Sequence, residues 1–353
     1  MRPRIKIIFI LCALPFLWLV GYMKAHPAWT ESYFSRGLYP YISKVQNFLF
    51  NWTQWSLGDL AYLFLLAYVV YWIIFKMRYV RLKEWLLNLG VSVFLIYFFF
   101  HFIWGFNYYR EPIAMQMKLG DSCQVDDLIK VTNHLASATN TVHLRITKND
   151  SVAVKHTLSI AELADSLKPG FIFMNAQFNT GSLGTKKAKA SLLSQPLSYM
   201  GFSGYLNPFT LEAQVNDLVP SYSIAATIAH EQAHQLGFAA ENEANFIGAL
   251  ACYYSDDSYV RYSGLVMALR ICLNELFKLN PDEYTNILRQ LNYGVLLNFE
   301  ESRQFWIGYN NPFEKYFKKG YNQYLKSNAQ KKGLESYNEA VVLIVNFFKT
   351  KLN

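Results

Sequence analysis

Three long apolar segments constrain the fold of this chain more than any other feature. They are Ile7–Met23, Leu60–Phe75 and Leu86–Phe106, and none of them contains a charged residue. A helix needs about 20 apolar residues to cross the hydrocarbon core of a bilayer. The second segment is slightly short, so its helix is expected to begin near Leu57. The sequence therefore predicts three transmembrane helices, at about residues 7–23, 57–75 and 86–106.

The composition agrees with a membrane protein whose main partner is the lipid bilayer. Charged residues make up 16% of the chain and hydrophobic residues 52%, whereas a soluble domain carries about 25% charged residues. The net charge of +8 comes from scattered basic residues, and without a basic stripe it argues against nucleic acid as a partner. The four cysteines form no CxxC pair. A thiolate metal site is therefore not indicated, while a single disulfide stays open.

Basic residues beside the predicted spans set their orientation. They form two groups: Arg2, Arg4 and Lys6 before the first span, and Lys76, Arg78, Arg81 and Lys83 between the second and the third. Short loops rich in lysine and arginine stay in the cytoplasm. We therefore expect a cytoplasmic N-terminus and an extracytoplasmic domain at residues 107–353. A cleaved signal peptide is the alternative for the first span, but its apolar stretch is long and no clear A-x-A site follows it.

Residues 107–353 have the composition of a soluble domain, and their pattern is mostly helical. Ser159, with Glu162 three residues later, forms a capping box at the start of one helix. The pair Pro169-Gly170 is expected to stop that helix. The other predicted helices are 126–138, 224–236, 241–254, 259–277, 282–296 and 336–349.

A small sheet is expected between Phe171 and Asn216, where glycines, serines and aromatic residues alternate. Within this region, 201–216 supplies either an edge strand that holds an extended peptide or a purely structural hairpin. Nearer the end, Phe313–Leu325 is aromatic and basic. It forms either a solvated amphipathic helix or a helix on the membrane surface. The predicted fold class is α+β, mainly helical, with three N-terminal transmembrane helices followed by an ectodomain with a small sheet.

The stretch AHEQAHQLGF, residues 229–238, carries the most specific chemistry in this domain. A helix brings residues i and i+4 to one face, about 6 Å apart. Ring nitrogens of His230 and His234 can therefore point at one metal ion. Glu231 lies beside the first histidine, where its carboxylate can reach a water molecule on the ion without binding the ion itself. This is the HExxH arrangement of zinc hydrolases.

A third protein ligand has to come from beyond this motif. On a continuous helix, Glu241 would lie about 10 Å further along the axis than His234, which is too far to share one ion. Gly237 can take a left-handed conformation that ends the helix and lets the chain return a carboxylate. Glu241 and Glu243 both qualify as that ligand. Asn245, four residues after Glu241, can support the site by a hydrogen bond.

The segment 241–245 (ENEAN) resembles the ExxAD segment of membrane gluzincin peptidases, of the CAAX-protease and stress-protease types. In those families the first glutamate is the third zinc ligand and the last acid braces the site, which implies Glu241 as the ligand here. Asn245 replaces that acid and keeps only a hydrogen-bond partner. The gap between His234 and Glu241 is also much shorter than in those families. The metzincin pattern fails, because Ala240 occupies the position of its third histidine.

Six strings spread over nearly the whole chain are specific in combination: SLGDL, WGFNYYREP, LSYMGFSGYLNPFTLEAQVN, HEQAHQLGFAAENEANFIG, RYSG and YNQYLK. Together they resemble an uncharacterised bacterial membrane family, domain of unknown function 3810. The resemblance implies three N-terminal spans and an HExxH ectodomain of the zinc metallopeptidase type. It also implies the inner membrane of a bacterium, with the C-terminal domain in the periplasm or outside the cell.

These patterns predict a membrane-anchored zinc peptidase that hydrolyses a peptide or protein substrate at the outer face of the membrane. Zinc would be held by His230, His234 and Glu241, with Glu243 as the alternative third ligand. A water molecule would complete the coordination, and zinc would lower its pKa toward neutral. Glu231 would act as the general base that takes the proton of this water.

Three further residues are candidates for binding an oxyanion or a substrate carboxylate, namely Tyr199, Tyr205 and Arg261. For each of them a role in packing or in a local ion pair is the more common explanation. Two other functions stay open as alternatives. One is a zinc-binding sensor or pseudoenzyme without turnover, and the other is a membrane scaffold in which the HExxH string is accidental.

Overall fold

The computed structural model describes residues 3–181, 186–328, 330 and 336–352 of the chain. Most of these residues are helical, and three short strands form one sheet. The mainly helical prediction with a small sheet is therefore confirmed. The chain divides into two compact units, Met1–Glu111 with Asn207–Glu212, and Pro112–Leu206 with Ala213–Asn353.

The first unit contains three helical stretches long and apolar enough to cross a membrane, Pro3–Ala25, Leu57–Phe75 and Leu82–Ile103. Its helices, in chain order, are α1 Pro3–Leu11, α2 Ala13–Ala25, α3 Pro27–Trp29, a π-helix at Thr30–Leu38, α4 Tyr39–Phe50, α5 Leu57–Phe75, a 3-10 turn at Met77–Tyr79, α6 Leu82–Ile103 and a 3-10 helix at Gly105–Tyr109. The second span has the predicted bounds, including the start at Leu57.

The other two spans differ from their predicted bounds at the ends. The first is longer than predicted and is interrupted at Cys12, because Pro15 has no amide hydrogen to donate to the carbonyl of Leu11. The third was predicted at 86–106 but runs Leu82–Ile103. Its first turn recruits the polar residues before the apolar run, and Gly105–Tyr109 tightens into a 3-10 helix. Apolar composition marks the part that can enter a bilayer and not the helix ends.

A carboxylate caps the second span. Glu212 accepts hydrogen bonds from the backbone amides of Leu57 (3.1 Å) and Gly58 (2.6 Å). The hydroxyl of Ser56 accepts a third one, from the amide of Asp59 (3.0 Å). The first amides of a helix have no partners within the helix and carry partial positive charge, so a carboxylate at this end is stabilising. This explains why the string SLGDL begins the span.

A buried ion pair lies in the segments of the first unit that follow its first and third spans. Arg110 donates two hydrogen bonds of 2.8 Å to the two carboxylate oxygens of Glu31, and Arg36 donates a third at 2.7 Å. Burial opposes ionisation of Glu31, but the two guanidinium groups outweigh it and hold the pKa of this carboxyl below its usual value. Arg110 belongs to the string WGFNYYREP, whose arginine therefore has a structural role here.

The second unit is a helical bundle with a small sheet. Its helices are α7 Ile113–Gln116, α8 Val125–Thr147, α9 Ile160–Ser166, α10 Lys168–Phe178, α11 Ser194–Met200, α12 Ser221–Gln235, α13 Glu241–Tyr253, α14 Ser258–Leu279, α15 Pro281–Gln290, α16 Tyr293–Gly308, α17 Glu314–Ser327 and α18 Ser336–Leu352. Its strands are β1 Ala188–Ala190, β2 Gly204–Leu206 and β3 Ala213–Val215. β3 lies in the middle, parallel to β1 and antiparallel to β2.

Two local predictions in this unit were confirmed, and one was wrong. The capping box at Ser159 is present. Helix α9 ends at Ser166, as expected before Pro169-Gly170, but an unpredicted helix, α10, begins at Lys168 with Pro169 in its first turn, where no amide hydrogen is needed. The helix predicted at 282–296 is two helices, which are separated at residues 291–292.

Helix α12 packs against both α13 and α14 in the middle of the core. Its second and third turns carry the small side chains of Ala225 and Ala229, which are almost fully buried beside Ile228. The approach of α13 is close at Gly248, where an added Cβ atom would come within 2.9 Å of the backbone nitrogen of His230. Small residues at these positions therefore bring α13, and the glutamates at its start, up to the histidines of α12.

Candidate metal centre

The chain reverses between α12 and α13 at a single glycine. Gly237 has φ +88°, in the left-handed region. The amide of Phe238 then bonds back to the carbonyl of Ala233 (3.2 Å), which closes the last turn of α12. The left-handed glycine expected from the sequence is therefore present. Three residues later, α13 begins with Glu241 as its first residue.

This reversal brings three potential ligand atoms together. Glu241 Oε2 lies 3.2 Å from His230 Nε2 and 3.6 Å from His234 Nε2, and the three atoms lie within 4.8 Å of one another. Ligand atoms held about 2.0–2.2 Å from a tetrahedral zinc ion are separated by roughly 3.3–3.6 Å. The two distances from Glu241 Oε2 to the histidine nitrogens therefore fit one such ion.

Hydrogen bonds orient two of these three side chains. Phe238 O lies 2.7 Å from His234 Nδ1. A proton on Nδ1 satisfies this carbonyl and leaves Nε2 with its lone pair toward the cluster. On α17, the hydroxyl of Tyr321 donates a 2.6 Å hydrogen bond to Glu241 Oε1. Both contacts leave the atoms of the cluster available to an ion.

One atom of the cluster, Glu241 Oε2, supports the fit of a metal ion because no hydrogen-bond donor outside the cluster reaches it from the described part of the chain. Glu241 Oε2 is buried, faces the two histidine nitrogens and has no hydrogen-bond partner outside the cluster among the described residues. When the histidine nitrogens that face it carry no proton, this buried oxygen lacks a donor, which is costly, and a cation at the centre of the cluster would remove that cost. Two histidine nitrogens and a carboxylate oxygen form a donor set that catalytic zinc sites use.

The charges of the cluster are strongly coupled. Burial favours the neutral form of Glu241, but His234 and His230 outweigh it and hold the pKa of this carboxyl well below its usual value. Burial alone would lower the pKa of His234, and Glu241 instead raises it to about 9. In the absence of an ion, the cluster is therefore held together by a buried carboxylate and a protonated imidazole.

Glu231 is next to the cluster but does not belong to it. Its side chain is 3% exposed and lines the same cleft as His230. Burial raises the pKa of Glu231 to about 7, with smaller opposing contributions from the two histidines. This carboxyl can therefore be protonated and deprotonated near neutral pH, as a general base and acid requires.

The geometry favours Glu241 over Glu243 as third ligand. Glu243 Oε1 accepts a 2.6 Å hydrogen bond from the backbone amide of Ile113, at the start of α7. Asn245 lies one turn after Glu241, is largely buried and lines the cleft. In this arrangement Glu243 fixes α7 to α13, and Asn245 faces the space in front of the cluster.

An open cleft of about 470 Å³ leads to the cluster. One wall is formed by β2 and the residues before it, including Phe202, Ser203 and Gly204. A face of α14 forms another wall, and Trp306 and Tyr321 also line the cleft. The volume is in the range of ordinary small-molecule and peptide sites.

The three other candidates from the sequence lie away from the lining of this cleft. Arg261 donates its Nε and Nη2 hydrogens to the carbonyl of Ser255, at 3.1 and 2.6 Å, and so closes the turn before α14. Tyr199 packs edge-to-face against Tyr309, and Tyr205 pairs with Gln214 within the sheet.

Two residues of the cleft, Tyr321 and Arg270, were not among the sequence candidates. Tyr321 belongs to the string YNQYLK, which had signalled a family resemblance but no role. Arg270 lies on α14 without any motif around it. In the sequence, the only indication of its place in the cleft is its helical spacing from the other residues of α14 that line the cleft.

Comparison with known proteins gives a family but no characterised relative. A family model described as "Protein of unknown function (DUF3810)" matches residues 34–345. No curated protein matches the chain. No solved structure matches it either.

Proposed function

Since this chain belongs to the DUF3810 family, whose description names no activity, we propose from its site that it is a membrane-anchored, zinc-dependent peptidase. Residues His230, His234 and Glu241 would hold the ion. The domain of residues 112–353 would act at the outer face of the membrane, as the distribution of basic residues indicates. The ectodomain would then be a zincin-like domain of mainly helical architecture.

The observation that carries this proposal is the convergence of His230 Nε2, His234 Nε2 and Glu241 Oε2 beside the buried carboxyl of Glu231. Three protein ligands leave one position of a tetrahedral ion for water or substrate, which distinguishes catalytic from structural zinc. The cleft in front of His230 and Glu231 provides access to that position. A closed site with four protein ligands would instead favour a structural or sensing role.

Glu231 would perform the proton transfers. Zinc, when bound, supplies a Lewis acid that lowers the pKa of water and polarises a carbonyl. Glu231 accepts the proton of the attacking water and delivers it to the nitrogen of the leaving amine. A pKa raised to about 7 by burial suits both steps at neutral pH.

Strand β2 would hold the substrate backbone. Its position at the end of the strand order β1-β3-β2 leaves one edge without a neighbour among the described strands. Gly204 lies so close to the general base that an added Cβ atom would come within 2.9 Å of Glu231 Oε1. An extended peptide that pairs with this edge would therefore pass in front of Glu231.

The test compares the full-length protein in lipid nanodiscs with its Glu231→Gln and Glu300→Gln variants. Zinc content is measured by mass spectrometry, and cleavage is measured on a mixed peptide library. Glu231→Gln should retain zinc and lose about 10²- to 10⁴-fold in turnover. Glu300→Gln makes the same chemical change at a half-exposed position of α16 outside the cleft lining and should behave as the wild type. If the wild type holds one zinc ion and cleaves nothing in the library, the peptidase proposal fails and a zinc sensor is the better account.

A further inference from the structure

The charges that line the cleft have one sign away from the metal cluster. Among the described residues, the charged side chains of the lining are His230, Glu231, Arg270 and Lys318. Beyond the HExxH motif, the cleft therefore presents two cations and no acid. Such a lining attracts an anionic group on whatever enters it.

Arg270 lies on a helix face that runs along the cleft. The lining residues of α14 have the spacing i, i+3, i+4, i+7, i+8 and i+11, and they are Ser263, Val266, Met267, Arg270, Ile271 and Asn274. This spacing follows a single face of a helix. The face is fixed at one end by Ser263, whose hydroxyl accepts a 2.9 Å hydrogen bond from the amide of Ala226 on α12.

Neutral groups hold the guanidinium of Arg270 in place. It lies over the ring of Phe299, with Cζ 5.6 Å from the ring centroid. It also hydrogen-bonds to the side chain of Tyr222, whose hydroxyl is in turn 2.5 Å from Ser302 Oγ. A ring face and a hydroxyl orient a guanidinium without neutralising its charge.

No carboxylate of the described residues forms an ion pair with Arg270. Burial raises the pKa of the Tyr222 hydroxyl, Arg270 lowers it, and Glu301 lies near enough to raise it further. The carboxylate of Glu301 accepts a hydrogen bond from Asn298. Lys318 differs from Arg270, because its ammonium group pairs with Glu314 at 2.5 Å. Arg270 is therefore the cation of the cleft that is available to a ligand.

The position of Arg270 sets the length of a fitting ligand. Its partner Tyr222 precedes His230 by eight residues on α12, which corresponds to about 12 Å along the helix. An extended peptide rises about 3.3 Å per residue. A group bound by Arg270 would therefore lie about three to four residues from the bond that is cleaved. Between the two points, the apolar side chains of Val266 and Met267 line the path.

We propose that Arg270 is the specificity residue of this site and binds a carboxylate of the substrate, about three to four residues from the scissile bond. The substrate is then a peptide with apolar residues at its centre and either an acidic side chain or a free C-terminus at that distance. This inference rests on the proposed peptidase function. A planar guanidinium that is oriented in advance can bind a carboxylate through two parallel hydrogen bonds.

The test is a binding measurement, so that it does not depend on turnover. The zinc-loaded Glu231→Gln protein in nanodiscs is titrated with fluorescein-labelled octapeptides that share an Ala-Leu-Phe-Leu centre. In the first set, Glu or Gln is the third or fourth residue on either side of the central Leu-Phe bond, and the C-terminus is amidated. In the second set, the sequence is neutral and the C-terminal residue is the third or fourth residue after the Leu-Phe bond. Each peptide of this set ends in either a free carboxylate or an amide. The two sets distinguish an acidic side chain from a chain terminus.

We expect one of the carboxylate peptides to bind better than its neutral partner, and Arg270→Gln to abolish that preference by weakening binding about 10- to 100-fold. Arg270→Glu should reverse the preference in favour of a peptide with Lys at the same place. Arg289→Gln, an exposed change on α15, should leave it intact. Equal binding of carboxylate and neutral peptides, or an equal loss for both in Arg270→Gln, would overturn the inference. The peptidase proposal is judged separately, by cleavage in the wild type.

Discussion

The hydroxyl of Tyr321 donates a hydrogen bond to Glu241 Oε1, while Oε2 of the same carboxylate faces His230 and His234. This bond divides the two oxygens of Glu241 between a protein donor and the candidate metal centre. A ligand oriented in this way loses little freedom when it binds an ion. The residues lie 80 positions apart in the chain, so α17 directly supports a site built by α12 and α13.

The first prediction concerns this tyrosine. Tyr321→Phe removes the donor and keeps the ring, so zinc affinity should fall by about 10- to 100-fold while the fold is retained. Competition with a fluorescent zinc chelator measures the affinity, and circular dichroism measures the helix content. Tyr316→Phe, an exposed change on the same helix, is the matched control. Unchanged affinity in the Tyr321 variant would show that the bond does not orient the ligand.

The second prediction distinguishes the two carboxylates at the start of α13. Glu241→Gln should lose bound zinc, because it removes a charged ligand from the cluster. Glu243→Gln should keep zinc, because Glu243 bonds to the amide of Ile113. This variant should instead lower the free energy of unfolding by about 1–3 kcal/mol, because it weakens one buried hydrogen bond to a charged group. Zinc retained in the first variant and lost in the second would assign the ligand to Glu243.

The third prediction is that zinc affinity rises with pH. Glu241 raises the pKa of the ion-free His234 to about 9, and a histidine must lose its proton to bind a metal. Below about pH 9 the ion has to displace this proton, so the apparent affinity should rise by up to about tenfold per pH unit and then level off above that pH. Chelator competition between pH 6 and 8 measures the slope. Calorimetry in two buffers of different ionisation enthalpy counts the protons released, and a result of zero would contradict the expected state of His234.

The fourth prediction tests the orientation in the membrane. A reporter enzyme that is active only outside the cytoplasm should be active when fused after Asn353 and inactive when inserted at Lys83. The reason is that the basic loop between α5 and α6 favours the cytoplasmic side. A cytoplasmic reporter should give the reverse pattern. Cytoplasmic activity at Asn353 would remove the basis for an extracytoplasmic peptidase.

The sequence was most informative where one residue type determines the local structure. The apolar run Leu60–Phe75, extended to about Leu57 because of its short length, predicted the second apolar helix closely, and Gly237 predicted the reversal after α12. Pro169 marked the end of α9 correctly but did not reveal α10, because proline both stops a preceding helix and starts a following one, and the pattern alone does not show when it does both.

The candidate site was predictable only as far as its local spacing. His230, Glu231 and His234 are defined by one helix, and Glu241 follows after a single turn. Tyr321 and Arg270 reach the cleft through packing between helices that are distant in the chain. Their positions depend on how helices pack against each other, for example α12 and α14 at Ala226 and Ser263. A single sequence has no periodic pattern that predicts such packing.

The free state of all four cysteines has a consequence for how this protein is made. Burial raises the pKa of the Cys252 and Cys272 thiols, so both stay protonated and unreactive. The C-terminal domain is therefore held together by non-covalent contacts and has no disulfide to form as it folds. A host without thiol-oxidising catalysts should assemble it as efficiently as one that has them, and a change in the redox state of its surroundings should leave its folding untouched.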